Sequence, residues 1–255
     1  MGQKIQRYGW RHDSLDRRDK VFQRTLPWLT PLPASVDWSQ KLPPCYDQGN
    51  LGSCTANAIA AALQFLQGTE GEPLVMPSRL FIYYNERAME GSVAGDSGAE
   101  IRDGIKSVNA QGDCPESEWP YVDDGKTFAV LPPNKCYADA SKELLLQYLS
   151  VDNTILVDLL AALAQGPVVG GFTVFESFQS DAVAASGVVP MPGPDEAQVG
   201  GHAVLWTGYD QTAGIIRGRN SWGPGWGNNG YFTIPMQYLT DPTLADDFWL
   251  CERIT

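Results

Sequence analysis

The run Cys54–Gln67 is built almost entirely of helix formers, with Ala56, Ala58, Ala60, Ala61, Ala62, Leu63 and Leu66 spread over most faces. A helix with no polar face has to be covered on every side, and its alanines let the covering elements come close. Gly68 is expected to end it and Ser53 to cap its start. The lead-in, Gln48-Gly-Asn-Leu-Gly-Ser, is a loop with two glycines that delivers Cys54 to the first helical position. Unpaired N–H groups and the helix dipole favour negative charge there, so the thiol is expected to gain thiolate character, the reactive form. Cys54 is therefore a candidate nucleophile.

The pattern on either side defines two halves. Pro77-Ser78 opens a second helix, Arg79–Met89, closed by Gly91. A third helix is predicted over Glu100–Gln111, with Ile101, Ile105 and Val108 on one face. Residues 112–135 read as an irregular crossing. Beyond them, Leu144–Val151 reads as a strand. Asn153 is placed to cap a helix with Leu156, Leu159, Leu160 and Leu163 on one face, stopped by Gly166-Pro167. Strand-like runs follow at Val168–Val174, His202–Tyr209, Gly214–Arg219, Tyr231–Ile234 and Asp247–Arg253. A helical half before a β-rich half is an α+β pattern, expected as two packed units over residues 32–130 and 131–255.

Residues 1–31, ahead of Pro31-Leu-Pro33, form a polar arm. Tyr8, Trp10, Phe22 and Trp28 are too many large apolar groups for a solvated tail, so the arm is expected to lie on the body.

Composition removes several function classes. A net charge of −12 with no Lys/Arg run excludes nucleic acid as a partner. No apolar run approaches membrane-spanning length, and Met1–Arg7 lacks the apolar core of a signal peptide. The expectation is a soluble chain, with secretion or periplasmic export only if a signal has been removed. The five cysteines contain no C-x-x-C pair, so no metal is expected, and their pairing is left open. Histidine occurs only at His12 and His202, which confines imidazole chemistry to two positions.

Of these, His202 has a partner. It opens a run separated by the turn Asp210–Gly214 from a second run that ends at Asn220. Antiparallel pairing across that turn puts Tyr209 opposite Ile215 and Val204 opposite Asn220. His202 and Asn220 become diagonal neighbours within side-chain reach. An amide oxygen that accepts one ring N–H fixes the tautomer and presents the other nitrogen to a thiol. Spacing thus suggests nucleophile, base and orienter in Cys54, His202 and Asn220.

Three motifs, Gln48-Gly-x-x-Gly-Ser-Cys54, Gly201-His202-Ala203-Val204 and Asn220-Ser-Trp222-Gly-x-x-Trp226-Gly-x-x-Gly230-Tyr231, resemble those of the papain-like cysteine peptidases. The resemblance runs from about Leu32 to the C-terminus. It implies a helical domain with a buried central helix, an antiparallel β-barrel-like domain, and an active-site cleft between them. It implies that Cys54 is the nucleophile, His202 the base and then acid, Asn220 its orienter, and Gln48 an oxyanion donor. Trp222 would shield the His–Asn bond, Gly98 would pair with substrate backbone, and Ala203 would line the main side-chain pocket. The implied enzyme is a monomeric thiol endopeptidase acting on peptide or protein substrates without a cofactor. A thiol acyltransferase or ligase and an inactive peptide-binding homologue are the alternatives.

The sequence departs from that family in several places. Leu51 stands where the family has a bridged cysteine, Thr55 replaces an aromatic residue, and Gly201 replaces Asp or Asn. The region before Leu32 is too short for the family's helical prosegment, so the arm is expected to cross the cleft extended and restrict access to Cys54. The stretch Gly225–Gly230 also fits G-x-G-x-x-G, but no helix pattern follows, and it reads as a loop.

Overall fold

The computed structural model describes residues 7–23, 31–142 and 145–254. Met1–Gln6, Trp28 and Leu144 lie outside them. The elements in chain order are β1 (Trp10–Arg11), β2 (Ser35–Asp37), α1 (Cys54–Glu70), α2 (Arg79–Met89), β3 (Ala99–Glu100), α3 (Ile101–Gln111), α4 (Asn134–Ala140), β4 (Leu145–Val151), α5 (Leu156–Gln165), β5 (Val168–Phe175), α6 (Asp181–Ser186), β6 (Gln198–Asp210), β7 (Ile215–Arg219), β8 (Tyr231–Pro235), α7 (Met236–Thr240) and β9 (Ala245–Ile254).

The helical half is followed by one antiparallel sheet, in the order β4-β9-β5-β6-β7-β8, with β2 added along β6. The sheet is antiparallel as expected and open, with β4 and β8 at its ends. Apolar side chains gather in two main clusters. One joins α1, α2 and α3 to Val169, Leu205 and Trp249 of the sheet. The other packs α5 against the sheet through Leu159, Leu163, Phe172 and Trp206.

Helix α1 sits between these layers, and every residue from Cys54 to Gln67 is buried. It runs past Gly68, which the last turn tolerates. The stop comes at Gly71, whose left-handed φ of +76° lets its N–H reach the Gln67 carbonyl. Ser53 occupies the cap position but does not cap. Its hydroxyl meets Tyr121 Oη at 2.6 Å and accepts from Asn57 Nδ2 at 3.1 Å. Ser78 does cap α2, accepting from the Phe81 N–H. Asn153 is a clamp rather than a cap: α5 starts only at Leu156, and the Asn153 amide donates to the Leu239 and Ala245 carbonyls.

The hairpin that carries the histidine differs from its expected register near the turn. Tyr209 pairs with Ile216, one residue beyond the predicted Ile215. A bulge between Trp206 and Gly208 absorbs that residue, so Leu205 pairs with Arg219 and the predicted alignment is restored at the site. Strand β6 also begins four residues before His202, because Gly200 and Gly201 carry no strand signal. The short helices α4, α6 and α7 have no sustained period to reveal them.

Candidate active site

The thiol of Cys54 lies at the N-terminus of α1, fully buried. The Ala203 N–H of β6 points at its sulfur, 3.5 Å away, and the N–H groups of Gly9 and Thr55 also face it. These donors favour a thiolate, as the helix position does. Burial outweighs them: the thiol is pushed up to about 11. The sequence expectation of thiolate character is therefore not met in this state, because the sulfur has no access to water.

His202 lies one residue before Ala203 and is also fully buried. Its Nε2 is 2.8 Å from Asn220 Oδ1. An amide oxygen can only accept, so Nε2 carries the hydrogen and Nδ1 is the basic nitrogen. Nδ1 has no hydrogen-bond partner among the described residues. Burial lowers the imidazole to about 4, partly offset by the bond to Asn220. Trp222 stacks on the ring with centroids 5.2 Å apart, and Phe172 and Phe178 also pack against it. Asn220 is held in turn, its N–H bonded to the Gly230 carbonyl and its Oδ1 accepting from the Ser221 N–H.

Gln48 reaches the same place from the lead-in loop. Its Oε1 accepts from the Ser221 hydroxyl at 2.5 Å, and its Nε2 donates to the Leu51 carbonyl at 2.8 Å. The backbone N–H of Gln48 donates to the Ser221 carbonyl. Ser221 thus fixes both the Gln48 side chain and, through its N–H, the Asn220 amide. In the sequence Ser221 reads only as a spacer between Asn220 and Trp222.

A model of the papain family cysteine proteases matches residues 32–244. The chain is 45% identical over 218 residues to an uncharacterised peptidase C1-like protein of Acanthamoeba polyphaga mimivirus, covering 82% of this chain and 70% of that one. It superposes on xylellain, a cysteine protease from Xylella fastidiosa, with a TM-score of 0.91 and 40% identity, covering 100% of this chain and 99% of that one. Cathepsin K of Gallus gallus is 30% identical over 81% of this chain and 60% of its own length. The chain belongs to the papain family of cysteine proteases. It is a cysteine peptidase, a hydrolase of the thiol protease class.

In this papain-family peptidase the arm passes directly over the site. Gln48 Nε2 donates to the Arg7 carbonyl at 3.0 Å. The Gly9 N–H faces the Cys54 sulfur, and the Gly9 carbonyl accepts from the Ala99 N–H at 2.8 Å. Residues 10 and 11 then pair in parallel with Ala99 and Glu100. Gly98 makes room for this path: its φ is +68°, and a Cβ there would lie 2.0 Å from the Gly9 carbonyl oxygen. The N–H that pairs with the arm is that of Ala99, next to the predicted Gly98.

Two arm rings fill the cleft. Tyr8 lies against His202 and Trp222, with centroids 5.8 and 5.9 Å away. Trp10 is buried against Gly171 and Gly201, and its Nε1 donates to Asp247 Oδ2 at 2.9 Å. The Gly201 departure thus has a steric reason, since a Cβ there would lie 2.7 Å from the Trp10 carbonyl oxygen. Farther along, Asp13 accepts from the Arg102 N–H and from Trp249 Nε1. Lys106 pairs with Asp16 at 2.9 Å, and Phe22 is buried beside β4.

All five cysteines are free and buried. Among the described residues no cluster of His, Cys, Asp or Glu could hold a metal ion, and no helix is long and apolar enough to cross a membrane.

Proposed function

We propose that Cys54, His202, Asn220 and Gln48 form the working site of an endopeptidase, held in this structure in a self-blocked state. The supporting observation is the convergence on one arm segment: a carbonyl, Arg7, at the Gln48 amide and an N–H, Gly9, at the Cys54 sulfur. With the arm displaced, a substrate carbonyl takes the place of the Arg7 carbonyl. Cys54 Sγ, deprotonated by His202 Nδ1, attacks the carbonyl carbon, and Gln48 Nε2 stabilises the oxyanion. The imidazolium gives its proton to the departing amine, leaving a thioester. Water, activated by the same nitrogen, then releases the acid. Asn220 keeps the imidazole in the required tautomer and Trp222 keeps water off that bond. Substrate lies between the units 32–130 and 131–255, with Gly98 giving clearance and Ala203 beside the thiol.

The arm is a poor substrate because of its direction. The leaving amine must lie beside His202, so a substrate chain runs toward that residue. The arm runs away from it, from Tyr8 at His202 to Trp10 at Ala99. A substrate along the same edge would pair antiparallel, where the arm pairs parallel.

Labelling of the chain carrying Trp10→Ala, which loses the arm's bond to Asp247, with a peptidyl epoxide tests the assignment. One adduct at Cys54, lost in His202→Ala, together with hydrolysis of a peptidyl aminomethylcoumarin, is the expected result. Labelling elsewhere, or labelling unaffected by His202→Ala, would overturn it.

A further inference from the structure

Between the nucleophile loop and the edge that pairs with the arm lies a carboxylate with no part in the chemistry. Asp96 Oδ1 accepts from the Gly52 N–H at 2.9 Å, two residues before Cys54. The same oxygen accepts from the Tyr83 hydroxyl at 2.5 Å. The Tyr83 oxygen accepts in turn from the Gly98 N–H at 3.2 Å. Tyr83 is fully buried on α2, its ring under the Arg87 guanidinium with 3.9 Å to the centroid, so its hydroxyl has a fixed position. Burial and the adjacent carboxylate raise its pKa, so it stays a donor toward Asp96 and an acceptor toward Gly98.

We infer that Asp96 and Tyr83 are positioning residues that act as one relay, from the Gly52 N–H through carboxylate and phenol to the Gly98 N–H. The relay locks the distance between the loop carrying Cys54 and the Ala99 N–H that holds an extended chain. No covalent link ties these two loops, since Leu51 precedes Cys54 where a bridged cysteine could stand and all five thiols are free. Both ends of the relay are backbone groups, so what it sets is the position of the peptide edge relative to the thiol. Asp96 Oδ2 also pairs with Arg7 at 2.9 Å, which attaches the blocking arm to the same carboxylate. This role rests on the peptidase reading of Cys54 and of the Gly98–Ala99 edge.

Two readouts test it in the full-length chain. Amide hydrogen exchange by NMR reads the relay without activity. Tyr83→Phe is expected to speed exchange at Gly98 about tenfold, and Asp96→Ala at both Gly52 and Gly98, with Asp96→Asn restoring protection because its amide oxygen still accepts. Kinetics are read with Trp10→Ala in every variant to weaken the arm. There Tyr83→Phe should raise KM for a peptidyl aminomethylcoumarin about tenfold with kcat within about twofold. The double variant Tyr83→Phe/Asp96→Ala should lose no more than Asp96→Ala alone, the signature of one linked unit. Unchanged Gly98 exchange in Tyr83→Phe, or additive losses in the double variant, would overturn the relay. Normal relay exchange in a Trp10→Ala chain that neither hydrolyses peptides nor labels at Cys54 would instead overturn the peptidase reading.

Discussion

The side-chain amide of Gln48 donates to the carbonyl of Arg7 at 3.0 Å, so the chain's own arm presents a peptide carbonyl to the proposed oxyanion donor. The donor is aimed before any substrate arrives, because Ser221 and Leu51 hold the amide from either side. Gln48→Ala should lower kcat by about 10²–10³-fold, the usual effect of losing one such donor, with a smaller change in KM. Steady-state kinetics on a fluorogenic peptide checks this. A change confined to KM would place Gln48 outside the transition state.

Gly9 has no room for a side chain while the arm is docked. A Cβ there would lie 1.7 Å from the Gly52 carbonyl oxygen. Gly9→Ala should therefore expel the arm, since overpacking a rigid backbone contact costs about 1–3 kcal/mol, or about 5–150-fold in the docking equilibrium. Epoxide labelling of Cys54 should accelerate accordingly in the full-length chain. Unchanged labelling would mean that the arm does not limit access.

Among the described residues Asn220 is the only hydrogen-bond partner of the His202 ring. Asn220→Ala frees the imidazole to turn, and a misplaced base costs about 10²-fold in kcat. That bond also holds the imidazole pKa up against burial, so its loss lowers the pKa. Activity needs the imidazolium beside the thiolate, and the alkaline limb of the pH–rate profile should move to lower pH. A limb that stays in place would show that Asn220 does not act through the imidazole.

The arm's grip should depend on pH through two carboxyls. Asp247 accepts from Trp10 Nε1 and from the Asp13 N–H, and Asp13 faces it from the arm. Burial and mutual repulsion raise Asp13, and burial with Asp246 nearby raises Asp247. Arg102 and Trp249 oppose this at Asp13, and Trp10 and His12 oppose it at Asp247. Docking therefore binds protons. Its contribution is complete below the ordinary carboxylate value of about 4 and is lost as pH rises through the raised values. The Arg18 and Lys106 contacts at Asp16 hold that carboxyl far below its ordinary value, so they survive mild acid. Exchange of the arm amides, corrected for intrinsic rate, should speed up as pH rises, and Asp13→Asn should flatten that dependence. Faster exchange on acidification would reverse the assignment.

Much of the site is legible in the sequence. Cys54, His202, Asn220 and Gln48 stand in motifs whose residue types and spacing point to thiol chemistry, and the all-apolar helix demanded cover on every side. His202 meets Asn220 as the hairpin spacing predicts, although the register slips by one residue near the turn, because the bulge at Trp206–Gly208 cancels that slip before the site. Ser53 and Asn153 show the limit of local rules. Each sits where a cap belongs, but tertiary partners claim its side chain.

The sequence alone determined which groups can do chemistry, because a thiol, an imidazole and two amides have fixed donor and acceptor capacities wherever they lie. It also determined the α+β order of elements, since hydrophobic period is a local property. Only the tertiary structure decided their state. Trp10 meets Asp247 across 237 positions, and Tyr83 meets Asp96 and Gly98 across loops of irregular sequence. Such contacts leave no periodic trace in the chain. They bury the thiol and imidazole as neutral groups, and desolvation at that depth outweighs what a helix N-terminus offers a cysteine.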